Sequence, residues 1–266
     1  MKQITLNNNI EMPILGLGTW TLRGDQCEET VRTAIECGYR LIDTAQMYQN
    51  EREVGNAIKA CGVPREELFI TTKICSPNDS YEATKKAIEK SLEELQLDYI
   101  DLMLIHEPYD NSQDMYRAMK EAYAEGKFRA IGISNFNPRL YEDFVKECEI
   151  IPAVNQVEAH IYHGQKELQE TMKKYGTAME AWSPFTAGKK DVFHNEVLLE
   201  IGNKYGKTAA QIILRYFVQR DVIVIPKSSK KERLIENISI FDFELNDEEM
   251  KKIDDLDEKT TLFGWY

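Results

Sequence analysis

Nowhere does the sequence reach the roughly 18 consecutive apolar residues that a membrane-spanning helix requires, so a soluble chain with no membrane segment is expected. None of its five cysteines (Cys27, Cys37, Cys61, Cys75, Cys148) forms a C-x-x-C pair. That speaks against a zinc site or a disulfide framework and leaves reduced thiols used as small core residues. The opening MKQITLNNNIEMP lacks the apolar stretch and small-residue cleavage site of a secretory signal, which points to the cytoplasm. Positive charge is in deficit: 33 lysines and arginines face 45 acidic residues, a formal net charge of −12. A nucleic-acid partner, which needs a basic stripe to displace counterions, does not fit that balance. Low-complexity tracts, charge blocks and linkers are missing too, so residues 1–266 are expected to form one domain, with a monomer favoured.

What the chain does contain is rhythm. Short apolar runs at residues 14–18, 41–43, 69–73, 100–105, 130–134, 153–157, 178–182 and 222–225 alternate with amphipathic stretches at 28–37, 51–60, 82–95, 113–125, 139–147, 166–174, 208–219 and 231–237. Within 82–95, Ala83, Ala87, Ile88, Ser91, Leu92 and Leu95 share one helical face with lysine and glutamate opposite, a face that packs on a sheet. Eight strand–helix units in a chain of 266 residues predict a single (β/α)8 TIM barrel, with an open doubly wound sheet as the alternative. The asparagines in TLNNNIEM predict an N-terminal β-hairpin, and residues 193–205 and 247–256 read as two extra helices.

In such a barrel, side chains at the C-terminal strand ends meet in one mouth. Four polar residues fall there: Asp43 ends the second strand, Tyr48 follows in its loop, Lys73 ends the third, and His106 follows the fourth. Taken singly, Asp43 suits a helix cap, Tyr48 a surface loop, Lys73 an exposed strand end and His106 a turn. Their coincidence at consecutive strand ends supports chemistry instead. A phenol titrates near 10, and an adjacent ammonium favours its ionised form and so eases proton donation. Asp43 keeps that ammonium paired, and His106 is placed to donate a hydrogen bond to a carbonyl oxygen.

GYRLIDTA (38–45) followed by Glu51 and Gly55, RAIGISNF (129–136) and IPKSSKKERLIEN (225–237) occur in that order, and over essentially its whole length the chain resembles the aldo-keto reductases. The resemblance implies carbonyl reduction with Tyr48 as proton donor, Asp43 and Lys73 tuning it, and His106 binding the substrate oxygen. It also implies a nicotinamide cofactor, since no side chain donates hydride. By similarity Ser134, Asn135 and Gln156 hold the carboxamide, Trp182 stacks on the ring, and Ser183 and Phe185 follow the pyrophosphate. Lys227, Ser228, Ser229, Arg233, Glu236 and Asn237 surround the adenosine end, while Thr19 and Trp20 border cofactor and substrate. Lys227, Lys230, Lys231 and Arg233 cluster where a helix begins, a setting that suits a 2′-phosphate. NADPH is therefore expected over NADH.

Two other motifs mislead. YEATK (81–85) has the Y-x-x-x-K spacing of short-chain dehydrogenases but no dinucleotide fingerprint, and GNKYGKT (202–208) is one residue short of a phosphate loop and follows no strand. Departures from the aldo-keto reductase pattern lie on the substrate side: Glu107 stands where tryptophan is common, the loop 108–112 is short, and Trp182 replaces the more usual tyrosine. An open, permissive pocket is expected, walled by Trp20 and by Phe263 or Trp265. Competing functions are a non-catalytic nicotinamide-binding regulatory subunit and a lyase using Lys73 as a Schiff-base amine.

Overall fold

The computed structural model describes residues 2–264. Strands β1 (Gln3–Thr5) and β2 (Glu11–Pro13) pair antiparallel around the asparagine turn. Eight parallel strands follow: β3 (Gly16–Gly18), β4 (Leu41–Asp43), β5 (Phe69–Ile74), β6 (Ile100–Ile105), β7 (Phe128–Ser134), β8 (Val154–Glu158), β9 (Ala178–Trp182) and β10 (Ile223–Val224), each beside its neighbour in the chain. A parallel bridge between Leu15 and Val224 brings the last strand back to the first, with the Val224 N–H donating to the Ile14 carbonyl at 3.0 Å and the Gly18 N–H to that of Pro226 at 3.3 Å. The sheet is thus a barrel, and the open alternative is discarded.

Helices α1 (Gly24–Glu36), α2 (Glu51–Ala60), α3 (Tyr81–Leu95), α4 (Ser112–Ala124), α5 (Pro138–Lys146), α6 (Lys166–Lys173), α7 (Glu196–Tyr205), α8 (Ala209–Gln219), α9 (Lys231–Ile238) and α10 (Asp247–Asp254) surround it. Of these, α7 and α10 stand outside the eightfold alternation. Every residue of β5 and β6 is buried, as expected for strands covered by helices on one side and by barrel filling on the other. No helix among the described residues is long and apolar enough to cross a membrane, and the five cysteines are free thiols.

Local chemistry explains where the sequence expectations shift. Residues 193–205 are not one helix: a 3₁₀ turn (Val192–His194) precedes α7, because extended Asn195 caps α7 by accepting from the N–H groups of Val197 and Leu198. In α3 it is Thr84, not Ala83, that is buried, with its hydroxyl donating to the Asn78 carbonyl at 2.8 Å. Gly202 lies inside α7 and Tyr81 opens α3, so neither misleading motif forms a nucleotide loop. The hairpin closes the end opposite the mouth: the side-chain amides of Asn8 and Asn7 donate to the carbonyls of Arg129 (2.8 Å) and Pro152 (3.2 Å), at the starts of β7 and β8.

Two glycines of the first signature have steric reasons. Gly38 adopts φ +102°, where other residues are strained. Gly55 lets α2 approach the end of α3, since a Cβ there would lie 2.3 Å from the Leu95 carbonyl oxygen. Gly55→Ala must therefore displace backbone, and we expect it to destabilise the fold by about 1–3 kcal/mol. An unchanged urea midpoint would show that α2 and α3 separate freely.

Candidate active site

The signature that carries Tyr48 is held in place largely by its own polar side chains. Asn50 is fully buried; its amide donates to the carbonyls of Thr19 and Leu22, both at 3.1 Å, and its oxygen accepts from Thr44 Oγ1 at 2.6 Å. The loops after β3 and β4 are thereby tied together. Gln46 reaches from the 3₁₀ turn Gln46–Tyr48 to the Ala87 carbonyl (2.9 Å) and Ser91 Oγ (2.8 Å) of α3, while Glu51 accepts from Thr72 Oγ1 of β5 at 2.6 Å. A short turn so anchored cannot wander, and it presents the Tyr48 phenol over the barrel.

Beneath the phenol lies Lys73, entirely buried. Its Nζ donates to Asp43 Oδ1 at 2.7 Å, the Thr44 carbonyl at 2.9 Å and the Tyr48 hydroxyl at 3.2 Å, using all three ammonium hydrogens. The other Asp43 oxygen accepts from Gln156 Nε2 at 2.7 Å. His106, just past β6, stands edge-on to Tyr48 with ring centroids 5.6 Å apart, and Trp20 flanks the phenol at 4.9 Å. Asp43, Tyr48 and His106 open onto a cavity of about 650 Å³ that is also lined by Trp20, Ser134, Asn135, Gln156, Trp182, Ser183, Phe185, Lys227 and Phe263.

Burial dominates the electrostatics of this group. It pushes the Asp43 carboxyl up, and Lys73 draws it back down. Lys73 is itself pulled down by burial, but Asp43 and Tyr48 together outweigh that and hold the ammonium firmly charged. For Tyr48 the expected balance is corrected: Lys73 does favour the phenolate, yet burial outweighs it and the phenol ends above its ordinary value. Lys73 thus limits a rise and does not create an acidic phenol. Burial and then the Lys73 charge push His106 down to about 3, so the imidazole is neutral near pH 7. Its Nδ1 has no hydrogen-bond partner among the described residues, which favours the proton on Nε2.

Glu180 on β9 was not singled out from sequence. Fully buried, its Oε2 accepts from Gln156 Nε2 at 2.9 Å, so one amide bridges two carboxyl groups. Burial and the Asp43 charge push it up to about 8, leaving it neutral beneath the Lys73–Asp43 pair. The sequence signal for it was weak, a lone glutamate inside the apolar run AMEAW.

The remaining expected residues are placed as follows. Thr19 does not line the cavity; its hydroxyl donates to the Asp43 carbonyl at 2.9 Å. Ser134 donates to the Gln156 carbonyl (2.8 Å), Asn135 to that of His106 (3.1 Å), and Trp182 Nε1 to Asn135 Oδ1 (2.8 Å), so these side chains brace one another at the wall. Ser228, Ser229, Arg233, Glu236 and Asn237 lie outside the cavity, along β10–α9 beyond Lys227. Glu236 accepts from Thr208 Oγ1 at 2.7 Å. Lys227, Lys230, Lys231 and Arg233 form no ion pair with any described residue; Lys227 and Arg233 are exposed. Phe263 meets Trp182 edge-on at 4.9 Å, held by a tail whose Leu262 N–H donates to the buried Glu158 at 2.7 Å and whose Leu262 carbonyl accepts from Lys189 at 2.7 Å. Trp265, the other expected wall, lies outside the described residues.

The Aldo/keto reductase family model matches residues 14–258. The chain is 50% identical over 257 residues to the glyoxal reductase of Bacillus subtilis, covering 96% of this chain and 92% of that protein. It is 45% identical to the 9,11-endoperoxide prostaglandin H2 reductase of Trypanosoma cruzi, covering 98% and 93% respectively. Its fold superposes with a TM-score of 0.96 on the crystal structure of an aldo-keto reductase from a Medee basin deep-sea metagenome, at 44% identity and over 98% and 97% of the two chains.

The raised carboxyl of Glu180 has a consequence for stability. Unfolded, a glutamate releases its proton near 4.5; folded, Glu180 keeps it to about 8. Folding therefore takes up a proton between those values, and stability falls as pH rises through that window. Glu180→Gln removes the titration, so its stability relative to the parent should improve from pH 5 to pH 8 by about 1–3 kcal/mol. Urea unfolding at the two pH values checks this; parallel curves would mean that Glu180 is ionised in the folded protein.

Proposed function

The chain belongs to the aldo/keto reductase family, and from that premise we propose that it is an NADPH-dependent reductase of aldehydes and ketones in which Tyr48 gives the proton. The observation that carries the proposal is the Lys73 ammonium, 2.7 Å from Asp43 Oδ1 and 3.2 Å from the Tyr48 hydroxyl, under a cavity that also receives His106. A bound nicotinamide supplies the hydride that no side chain has. Neutral His106 donates its N–H to the substrate oxygen and orients the carbonyl. As negative charge builds on that oxygen, the Tyr48 proton moves to it, and the ammonium beside the phenol stabilises the phenolate left behind. Because burial keeps the phenol protonated well past neutrality, the proton is available at working pH.

The residues fit such a cofactor. Ser134, Asn135 and Gln156 would hold the carboxamide, Trp182 would serve the ring, and Ser183 and Phe185 would border the path toward the basic end. In a protein of net charge −12 with many surface ion pairs, four cations around the start of α9 remain unpaired among the described residues, which supports a 2′-phosphate there. The lyase alternative loses support, since a Schiff-base amine must be neutral and accessible, whereas Lys73 is charged and fully buried. The name of the glyoxal reductase relative agrees with small carbonyl substrates.

With NADPH and a reactive aldehyde, Tyr48→Phe should lower kcat by about 10²–10⁴-fold while NADPH still quenches tryptophan fluorescence; wild-type turnover in that variant would refute the proton-donor role. Arg233→Ala should cut the NADPH-over-NADH preference by about tenfold. An unchanged ratio would move the 2′-phosphate elsewhere.

A further inference from the structure

Among the described residues three charged side chains line the cavity, each in a different setting. Asp43 is neutralised by Lys73, Lys227 follows β10, and Glu107 follows β6. In the cyclic order of eight strands beginning with β3, β6 is fourth and β10 eighth, so Glu107 and Lys227 stand on opposite rims. Glu107 is half-buried, and among the described residues no cation or hydrogen-bond donor meets its carboxylate. The groups its charge reaches, Cys75 and Tyr109, bring no compensating positive charge, and burial keeps both protonated. The mouth is therefore polarised, positive at the rim expected to take cofactor phosphate and negative at the rim that follows β6.

On the reductase reading, a substrate whose carbonyl oxygen lies against His106 and Tyr48 carries its adjacent carbon past Glu107. If that carbon is itself a carboxylate, it would be desolvated beside a second, unpaired carboxylate, whereas a carbon bearing a hydroxyl or ammonium would give Glu107 the donor it lacks. We infer that Glu107 sets the substrate class: it admits uncharged or cationic carbonyl compounds with a hydroxyl or amino group next to the carbonyl, and turns away 2-keto acids. Repulsion here works as the specificity element, with no rearrangement of the proton-donating group.

The test compares hydroxyacetone with pyruvate, which share a three-carbon ketone skeleton and differ in charge, in the parent and in Glu107→Gln and Glu107→Lys at fixed ionic strength. The intrinsic reactivity of each ketone cancels when the ratio of their kcat/KM values is compared between variants. That ratio should shift toward pyruvate by about tenfold in Glu107→Gln and further in Glu107→Lys. Ligand-observed NMR titration of the same pair reads the discrimination without turnover. Equal ratios in all three proteins, by rate and by binding, would overturn the inference while Tyr48-dependent reduction still stood. If no ketone or aldehyde is reduced, the reductase reading fails separately, and the NMR ratio still decides whether Glu107 selects by charge.

Discussion

A lysine with no access to water sits at the centre of this barrel, and much of the site is organised to keep it charged. Taking an ammonium out of water costs several kcal/mol, and removing one partner of a buried pair typically costs about 3–5 kcal/mol, because the other charge is stranded. Lys73 is tolerated because Asp43, the Thr44 carbonyl and the Tyr48 hydroxyl satisfy its three hydrogens. Asp43 in turn needs a second donor, which Gln156 provides from β8. The same amide also meets Glu180, and a second full negative charge there would leave the interior with two carboxylates for one ammonium. Keeping Glu180 protonated resolves that conflict.

The pair also explains why the surrounding loops are so strongly fastened. A phenol must lie within hydrogen-bond reach of the ammonium without sealing the cavity above it. Gln46, Asn50 and Glu51 achieve this by tying the Tyr48 turn to α3, to the loop after β3, and to β5. On the far wall, Glu158 holds the tail that brings Phe263 against Trp182. Strand ends and the fastened Tyr48 turn supply the buried polar group, while the other loops and the tail supply the walls, a division that lets walls vary without disturbing the buried pair.

Glu107 and Lys227 show how the same frame acquires direction. Neither takes part in the buried network, yet their positions beyond the fourth and eighth strands give the mouth a negative and a positive rim. Net charge conveys none of this: a chain at −12 still carries a basic cluster at α9 that is unpaired among the described residues.

The periodic alternation of apolar runs and amphipathic stretches was enough to foresee eight parallel strand–helix units, because strands buried on both sides and one-faced helices hide their apolar surface that way, while the bridge from Leu15 to Val224 decided for a barrel over an open sheet. It was also enough to bring Asp43, Tyr48, Lys73 and His106 to one end, since parallel strands all present their C-terminal ends together. What sequence could not determine was the balance of energies among them. Whether the phenol titrates above or below its ordinary value depends on how much water burial removes, and only the packed structure decided that burial wins at Tyr48. Glu180 stayed hidden for a related reason: its partner Gln156 is 24 residues away, and Asp43, at the other end of that bridge, is 113 residues from Gln156, and hydrogen bonds over such separations leave no local pattern to read.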